Sequence, residues 1–522
     1  MPVQTTPPAP SFLDAYQGGH LNDFFDLAPG DLDAALALPR PGERNALVDA
    51  LSRYAAALGA PAAVFANLER LRHPAARAVV TGQQTGLLLG PTYSLSKAIT
   101  AVALARRLDT EERPVVPMFW LATQDHDAHE VDHTYLLDGG ETLRRVAVAL
   151  PDGVAVGRAP LTPAMLQSVK EGLESLTPRP RFMGEVWDLL EGTAASVTSF
   201  SDWFGAILTR FLGEAGLVLV DPLRRDVAAQ FSPVLAAELA DPVSTAEAVN
   251  GAGRRLKALG YAPQLGRATG ATNLFVELGG RRVLLRQVGA NLMADDRTFK
   301  AAELLGMLAE DPTSITPAAG LRPTVQDALL PTAVSVLGPG ELRYVAQLRD
   351  VYRFHGVPMP LAWPRASATV LEPAAARLLT GFGVHAAEFR AHHDEILERV
   401  LLERHGYSAR FNESASRVEA EFAALLESVA AIDPTLEGAV RKGRRHMVST
   451  LSGLRRKSAA ALATKDEITT RQFGRLTAHL LPLGQPAERV LSPFSHALKF
   501  GIEPLLDRFM GLAPSGDQEL VL

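Results

Sequence analysis

The chain has 522 residues, more than one ordinary hydrophobic core supports, so two or three structural units are expected. Its 47% apolar and 21% charged residues are those of a globular protein, and a net charge of −6 argues against extended duplex binding, which draws affinity from basic contacts. The absence of cysteine excludes disulfides, thiolate-bound zinc, iron–sulfur clusters and a cysteine nucleophile together, and fits a reducing, cytoplasmic compartment.

Residues 1–10 are Pro/Thr-rich and lack the basic-then-apolar pattern of a signal peptide. No apolar run approaches the roughly 20 residues that cross a bilayer, so a soluble protein with no membrane or nucleic-acid partner is expected. Residues 11–75 read as helical, with Leu47, Leu51, Tyr54 and Leu58 at helical spacing. Ala78-Val79-Val80-Thr81 then predicts a buried strand that enters a turn at Gly82. A helix is predicted over residues 92–108, with Leu95, Ile99, Val102 and Ala103 on its inner face, followed by a second apolar run at 115–122. Strand, helix and strand in so short a span make a βαβ unit, and the fold class expected is α/β. Leu217 to Val220 is a further strand candidate, and the runs 274–277 and 282–285 flank Gly279-Gly280 as a hairpin.

The character changes after Pro373. Two proline-free stretches meet at Pro434 and end at Pro482. Val418, Phe422, Leu425, Val429 and Ile432 step by four and three, and Met447, Leu451 and Leu454 repeat the step, with Ala461 and Ile468 continuing it weakly. The expectation is an antiparallel helical hairpin over 374–482 whose narrow seam pairs with a second copy of the chain, between an α/β core at 1–373 and a C-terminal segment at 483–522 that returns to it. The basic cluster Arg441, Lys442, Arg444, Arg445 and Arg455 to Lys457 reads as a solvated helical face.

Four segments carry chemistry. Thr81-Gly82-Gln83-Gln84-Thr85-Gly86, followed by Gly90-Pro91-Thr92-Tyr93 and a helix bearing Lys97, is a Gly-rich turn between strand and helix, a place where backbone N–H groups face an anion. It is neither a Walker A loop nor a GxGxxG fingerprint, and a purely structural turn is the competing reading. Asp125-His126-Asp127, with Glu130 and His133, follows the second strand at the sheet edge where open α/β folds bind ligands. Residues 129–133 also spell HExxH, which would make a zinc site only on a helix with a third ligand; metal-free acid–base work is the alternative. Arg322 offers a fork for a carboxylate or phosphate, with an ion pair to Asp327 as the competing reading, and Gly338-Pro339-Gly340 places Glu341 near a helix start. Arg365 and Ser367 close the α/β part on a loop suited to phosphate.

At these places together the sequence resembles the bacillithiol-biosynthesis cysteine-adding enzymes, through TGQQTGLLLGPTYSLSKA (81–98), FWLATQDHDAHEVDH (119–133), LRPTVQDALLPT (321–332), GPGELRYVAQL (338–348) and PRASATVLEP (364–373). His129 lies outside the family's fixed positions, and Ala318 and Leu337 stand where the family tends to carry Asn and Gly. The resemblance implies a Rossmann-like core related to class I synthetases and nucleotidylyl transferases, with an inserted coiled coil that makes a homodimer. It also implies the reaction, joining the carboxyl group of L-cysteine to the amine of glucosaminyl-malate; the need to activate that carboxyl group, rather than the resemblance, points to ATP as a co-substrate, and no tightly bound cofactor or metal is expected. On this reading the catalytic group is Asp125, His126, Asp127 and Glu130, with Asp127 or His126 orienting or deprotonating the amine. The substrate-binding set is Gly82, Gln83, Gln84, Gly86, Thr92, Tyr93, Lys97, His133, Arg322, Asp327, Glu341, Tyr344, Arg365 and Ser367, in which Lys97, Arg322 and Arg365 neutralise developing charge. The runners-up are an HExxH metallohydrolase, which would carry stoichiometric zinc, and a non-catalytic, synthetase-like protein binding RNA through the basic hairpin.

Overall fold

Val79, Val80 and their neighbours are fully buried because the strand they form lies in the middle of a parallel sheet covered on both faces, the setting in which strands read as continuous apolar runs. The computed structural model describes residues 10–41 and 43–522; the Pro/Thr-rich opening at 1–9 lies outside the described residues. Along the chain come β1 (Arg77–Gln83), β2 (Val115–Leu121), a hairpin of β3 (His133–Leu137) and β4 (Leu143–Ala147), and β5 (Val218–Val220). Then follow β6 (Ala271–Leu278), β7 (Arg281–Val288), β8 (Asn291–Ala294), β9 (Arg297–Phe299), β10 (Ile315–Pro317), β11 (Thr332–Leu337) and β12 (Leu361–Pro364).

The central sheet runs β12-β11-β1-β2-β5, and each neighbouring pair is parallel. The chain moves outward from β1 through β2 to β5, then outward on the other side from β11 to β12. The order therefore reverses between β1 and β11, the point at which doubly wound sheets bind ligands beyond their carboxyl ends. The Rossmann-like α/β class expected from the sequence is the one found.

The helix Tyr93–Leu108 joins β1 to β2. Its expected inner stripe is wider than predicted: Ser94 to Val102 are all buried, and Ala101, Leu104 and Ala105 pack with Val79, Val334 and Val336. A helix held between a sheet and further layers is apolar nearly all round. A second, antiparallel sheet runs β10-β6-β7-β8-β9. The predicted hairpin is present, with Leu278 opposite Arg281 and both Gly279 (φ 58°) and Gly280 (φ 80°) in the left-handed region that a two-residue turn of this twist requires.

The described chain divides into two compact units. One comprises residues up to Ala368 with Glu488–Leu520, the other Thr369–Ala487 with Val521–Leu522. The expected boundaries at 373 and 482 both fall inside the second unit. That unit contains five helices where two long ones were expected: Pro373–Phe382, Ala386–Arg404, Ser408–Ile432, Glu437–Ala463 and Glu467–Leu480. Local caps make the difference. Gly383 (φ 64°) ends the first helix, and Asp466 accepts from Thr469 N (3.0 Å) to start the last, so the weak continuation of the seam through Ile468 is interrupted. Leu379, Phe382, Phe389, Phe473 and Leu476 form a small core of their own.

The hairpin itself is as predicted, with limbs Ser408–Ile432 and Glu437–Ala463 turning at Pro434. Gly443 permits it to close, since a Cβ there would stand 3.0 Å from the Phe422 ring. Glu437, Glu419 and Glu398 pair with Arg441 (3.1 Å), Arg444 (3.2 Å) and Arg455 (2.7 Å), so carboxylates of the same unit offset part of the basic cluster. Among the described residues no helix is long and apolar enough to cross a membrane.

Candidate active site

A cleft of about 360 Å³ opens at the carboxyl edge of the central sheet, at the reversal between β1 and β11. Its wall draws on each predicted segment: Gly82, Gln83, Gln84, Tyr93 and Lys97 from the first, Asp125 from the second, Arg322, Glu341 and Tyr344 from the third, and Arg365 from the fourth. Residues more than 280 positions apart meet because these segments follow the ends of parallel strands or the helix beyond them, except Arg322, which opens the helix leading into β11.

Lys97 is the pivot. Its side chain is 1% exposed, and the ammonium donates to Gly82 O, to Gln83 Oε1 (3.0 Å) and to Glu341 Oε2 (2.6 Å). An ammonium has three protons, so all of them are engaged within the protein and Lys97 ties the end of β1 to the segment after β11. It has no donor left for a direct hydrogen bond to a ligand. Burial lowers its pKa, and the Glu341 carboxylate opposes that shift. Glu341 also accepts from Gly338 N (2.8 Å), closing the turn that begins its helix. Glycine is required at Gly82, where a Cβ would lie 2.8 Å from Trp120 O on the neighbouring strand.

Gln84 bridges two carboxylates: its Nε2 donates to Asp125 Oδ2 (2.7 Å) and to Glu130 Oε2 (2.5 Å). The other oxygen of Asp125 accepts from His126 N (2.9 Å) and lies 3.7 Å from Arg282. His126 stands beside this group, with Nδ1 3.0 Å from Arg282 Nη1 and its ring 5.3 Å from that of Phe275. Burial lowers its pKa, as does Arg282, against the pull of Asp125, Asp127 and Asp152. His126, Asp127 and Glu130 are not themselves in the cleft wall; Asp127 and Glu130 are exposed at its side of the sheet, in the loop after β2.

Several expected ligand residues are occupied elsewhere. Thr92 donates through both N (2.8 Å) and Oγ1 (2.6 Å) to Leu491 O, and Gly86 N turns back to Gln84 O (3.0 Å). His133 opens β3 and bonds Asp132 (2.7 Å). Arg322 does not pair with Asp327; it donates to Tyr344 OH (2.9 Å) and Gln326 Oε1 (3.2 Å). Asp327 is buried and accepts from Tyr352 OH (2.5 Å) and Gln326 (3.0 Å), and burial raises its pKa against the nearby Arg40. Arg365 lines the cleft but is held bidentate by Glu488 (2.6 and 2.9 Å), which also accepts from Ser367 Oγ (2.7 Å). The phosphate-like loop therefore already carries a carboxylate from its own chain. Thr92, Gly86, His133, Asp327 and Ser367 do not line the cleft.

The HExxH reading also fails on geometry. Residues 128–130 form a single 3-10 turn that runs into β3, and His129 is 88% exposed, so the two histidines do not share a helical face.

Sequence reasoning missed Trp120, Gln264 and Arg489 in the wall, and Arg282 and Glu488 behind it. Trp120 presents an Nε1–H that is buried without a hydrogen-bond partner among the described residues.

At the end of β5, Asp221 accepts from Thr123 Oγ1 (2.5 Å) and Leu223 N (3.0 Å). Burial pushes its carboxyl up to about 6 from an ordinary 3.8. The fold favours its protonated form, so this contribution to stability is intact below the ordinary value and lost as pH rises through about 6. Asp221→Asn keeps an acceptor for both donors and removes the charge. It is expected to stabilise the protein by about 3 kcal/mol at pH 8 and about half that at pH 5, measured by urea unfolding at the two pH values.

A doubly wound parallel sheet with a polar cleft at its switch point, together with a separate coiled-coil unit, defines a Rossmann-like α/β protein with a coiled-coil domain. Residues 12–366 match the family described as bacillithiol biosynthesis BshC, N-terminal Rossmann-like domain, and residues 368–520 match its C-terminal coiled-coil domain. The chain belongs to the BshC family of bacillithiol biosynthesis and is a ligase. A protein of Thermus thermophilus is 40% identical over 91% of this chain and 94% of its own length. One of Salinibacter ruber is 32% identical over 95% and 94%, and one of Desulforamulus reducens 28% identical over 92% of each. All three bear the name "Putative cysteine ligase BshC".

Proposed function

We propose that this protein is a cytoplasmic ligase that joins the carboxyl group of L-cysteine to the amine of glucosaminyl-malate, with ATP activating the carboxyl group. The observation that carries this reading is the cleft itself. It brings the guanidinium of Arg322, whose bonded partners are neutral, and that of Arg489 into one wall with Gln84 and Asp125. The names of the relatives support cysteine as one substrate.

An ionised carboxylate is a poor acyl donor, so condensation with an amine needs activation. Attack of the cysteine carboxylate on the α-phosphorus of ATP forms an acyl adenylate and releases pyrophosphate; attack of the amine then releases AMP and one proton. The cationic wall offsets charge on the adenylate and on the tetrahedral oxygen, and the carboxylates beside Gln84 accept the amine proton. Holding both reactants in one cleft supplies much of the remaining rate.

The test is incubation with cysteine, glucosaminyl-malate and ATP, followed by mass spectrometry. A cysteine adduct with one AMP per turnover is expected. An adduct without nucleotide consumption would overturn the activation step, and no adduct would overturn the reading.

Half of the apolar seam on the hairpin limbs is exposed: Leu425, Ile432, Met447 and Leu454 are 48%, 79%, 41% and 51% exposed. A second copy of the chain is the partner proposed for this stripe. Leu425→Glu combined with Leu454→Glu is expected to halve the mass measured by light scattering while leaving the helical circular dichroism unchanged. An unchanged mass would remove the seam from the interface.

A further inference from the structure

We propose that Arg282 is a positioning residue of the active site: by donating to His126 Nδ1 it fixes the ring as the neutral Nε2–H tautomer. His126 then serves as a hydrogen-bond donor to a substrate oxygen, and the amine proton goes to a carboxylate beside Gln84, Asp125 or Glu130. The catalytic half of this inference rests on the ligase reading above, whereas the tautomer does not.

Arg282 is placed with little freedom. Its side chain is 8% exposed, and the guanidinium lies 3.9 Å over the Phe275 ring. Nε donates to Thr316 Oγ1 (2.9 Å), Nη2 to Pro317 O (2.7 Å) and the backbone N to Gly153 O (2.9 Å), so Nη1 is the arm directed at His126 (3.0 Å). Burial brings the Arg282 pKa down to about 10, against the influence of Asp125, which still leaves it fully charged at neutral pH.

A guanidinium has donors and no acceptor, so the imidazole nitrogen facing it must accept. Protonating Nδ1 would set N–H against N–H beside a fixed positive charge. His126 is therefore neutral, with its proton on Nε2, an atom with no hydrogen-bond partner among the described residues, on a ring about one-third exposed. A histidine whose lone pair is already committed is a poor general base and a good neutral donor. The charged groups around it are Arg282 from β7, Asp125 and Asp127 from its own loop, and Asp152 from the following loop, with the apolar face of Phe275 from β6. Three carboxylates would ordinarily favour imidazolium, and Arg282 together with burial outweighs them.

Nitrogen-15 spectra of histidine-labelled protein, with His126 assigned from a His126→Gln sample, test the tautomer without turnover. The expected result is an unprotonated Nδ1 and a protonated Nε2 that persist from about pH 8 to about pH 6. An Nδ1–H tautomer, or titration at the ordinary histidine value of about 6.5, would overturn the proposal.

In Arg282→Met the ring is expected to titrate near its ordinary value, with adduct formation reduced above that value, where the Nε2–H tautomer is no longer enforced, and closer to wild type below it, where the imidazolium carries Nε2–H again. Arg282→Lys, which retains a cationic donor, is expected to keep the wild-type profile. A loss in Arg282→Met that is the same at every pH would reduce Arg282 to a packing residue and overturn the proposal. If the wild type forms no adduct, the ligase reading fails, while the spectra still decide the tautomer.

Discussion

Lys97→Met is expected to destabilise the protein by about 3 kcal/mol and to reduce adduct formation below detection. Removing one partner of a largely buried ion pair leaves the other desolvated and unpaired, and Glu341 (23% exposed) has Lys97 as its one ion-pair partner among the described residues. Gly82 O and Gln83 Oε1 lose their donor in the same stroke, at the point where β1 gives way to the glutamine turn. The double variant Lys97→Met, Glu341→Gln separates the two effects. Replacing both charges by neutral groups is often close to neutral for stability, so the urea midpoint is expected to recover most of the loss. Activity is expected to stay absent, because the glutamine turn after β1 then has no ammonium tying it to Glu341 beyond β11. If Lys97→Met alone keeps both its midpoint and half its turnover, Lys97 is not the pivot of the site.

The parts of this molecule that could be read from its residues are those specified within a few positions. β1, β2 and the helix between them are written in uninterrupted apolar runs punctuated by glycine, and the β6–β7 hairpin in two glycines that both need positive φ. The coiled-coil seam is a period, visible without knowing what it faces. Helix breaks at Gly383 and Asp466 were missed because a proline-free stretch hides caps made by ordinary residues. The site was legible as a set of motifs at strand ends, but its wiring was not. Arg282 and His126 are 156 positions apart, and Arg365 and Glu488 are 123 apart, with no local signal that announces either bond. Arg282 reads in the sequence as one more polar residue after a turn, and Glu488–Arg489 as surface charge between Pro486 and Val490. The HExxH match erred in the opposite direction. It assumed a helix where the chain needed to leave the sheet, turn and start β3, so a pattern defined by helical spacing had no helix to act on.

Gln84→Ala is expected to lower kcat by about 100-fold while changing stability by less than about 1 kcal/mol. The small structural cost follows from position: Gln84 is half-buried in a turn, and its backbone is held independently by the parallel pairing of β1 with β2 through Gln83. The large functional cost follows from what its amide does. Two N–H groups point at two carboxylates, Asp125 and Glu130, and hold them close enough to share one donor nitrogen. Without that bridge like charges repel, and the pair loses the orientation toward the cleft on which proton transfer depends. Gln84→Glu carries the same argument further, since it replaces the bridge by a third carboxylate of nearly equal size. Its loss is expected to exceed that of alanine, to about 1,000-fold, although it preserves more of the packing. That ordering separates an electrostatic role from a steric one. A glutamate variant more active than alanine would mean that Gln84 acts by filling space, and Asp125 and Glu130 would then need another account.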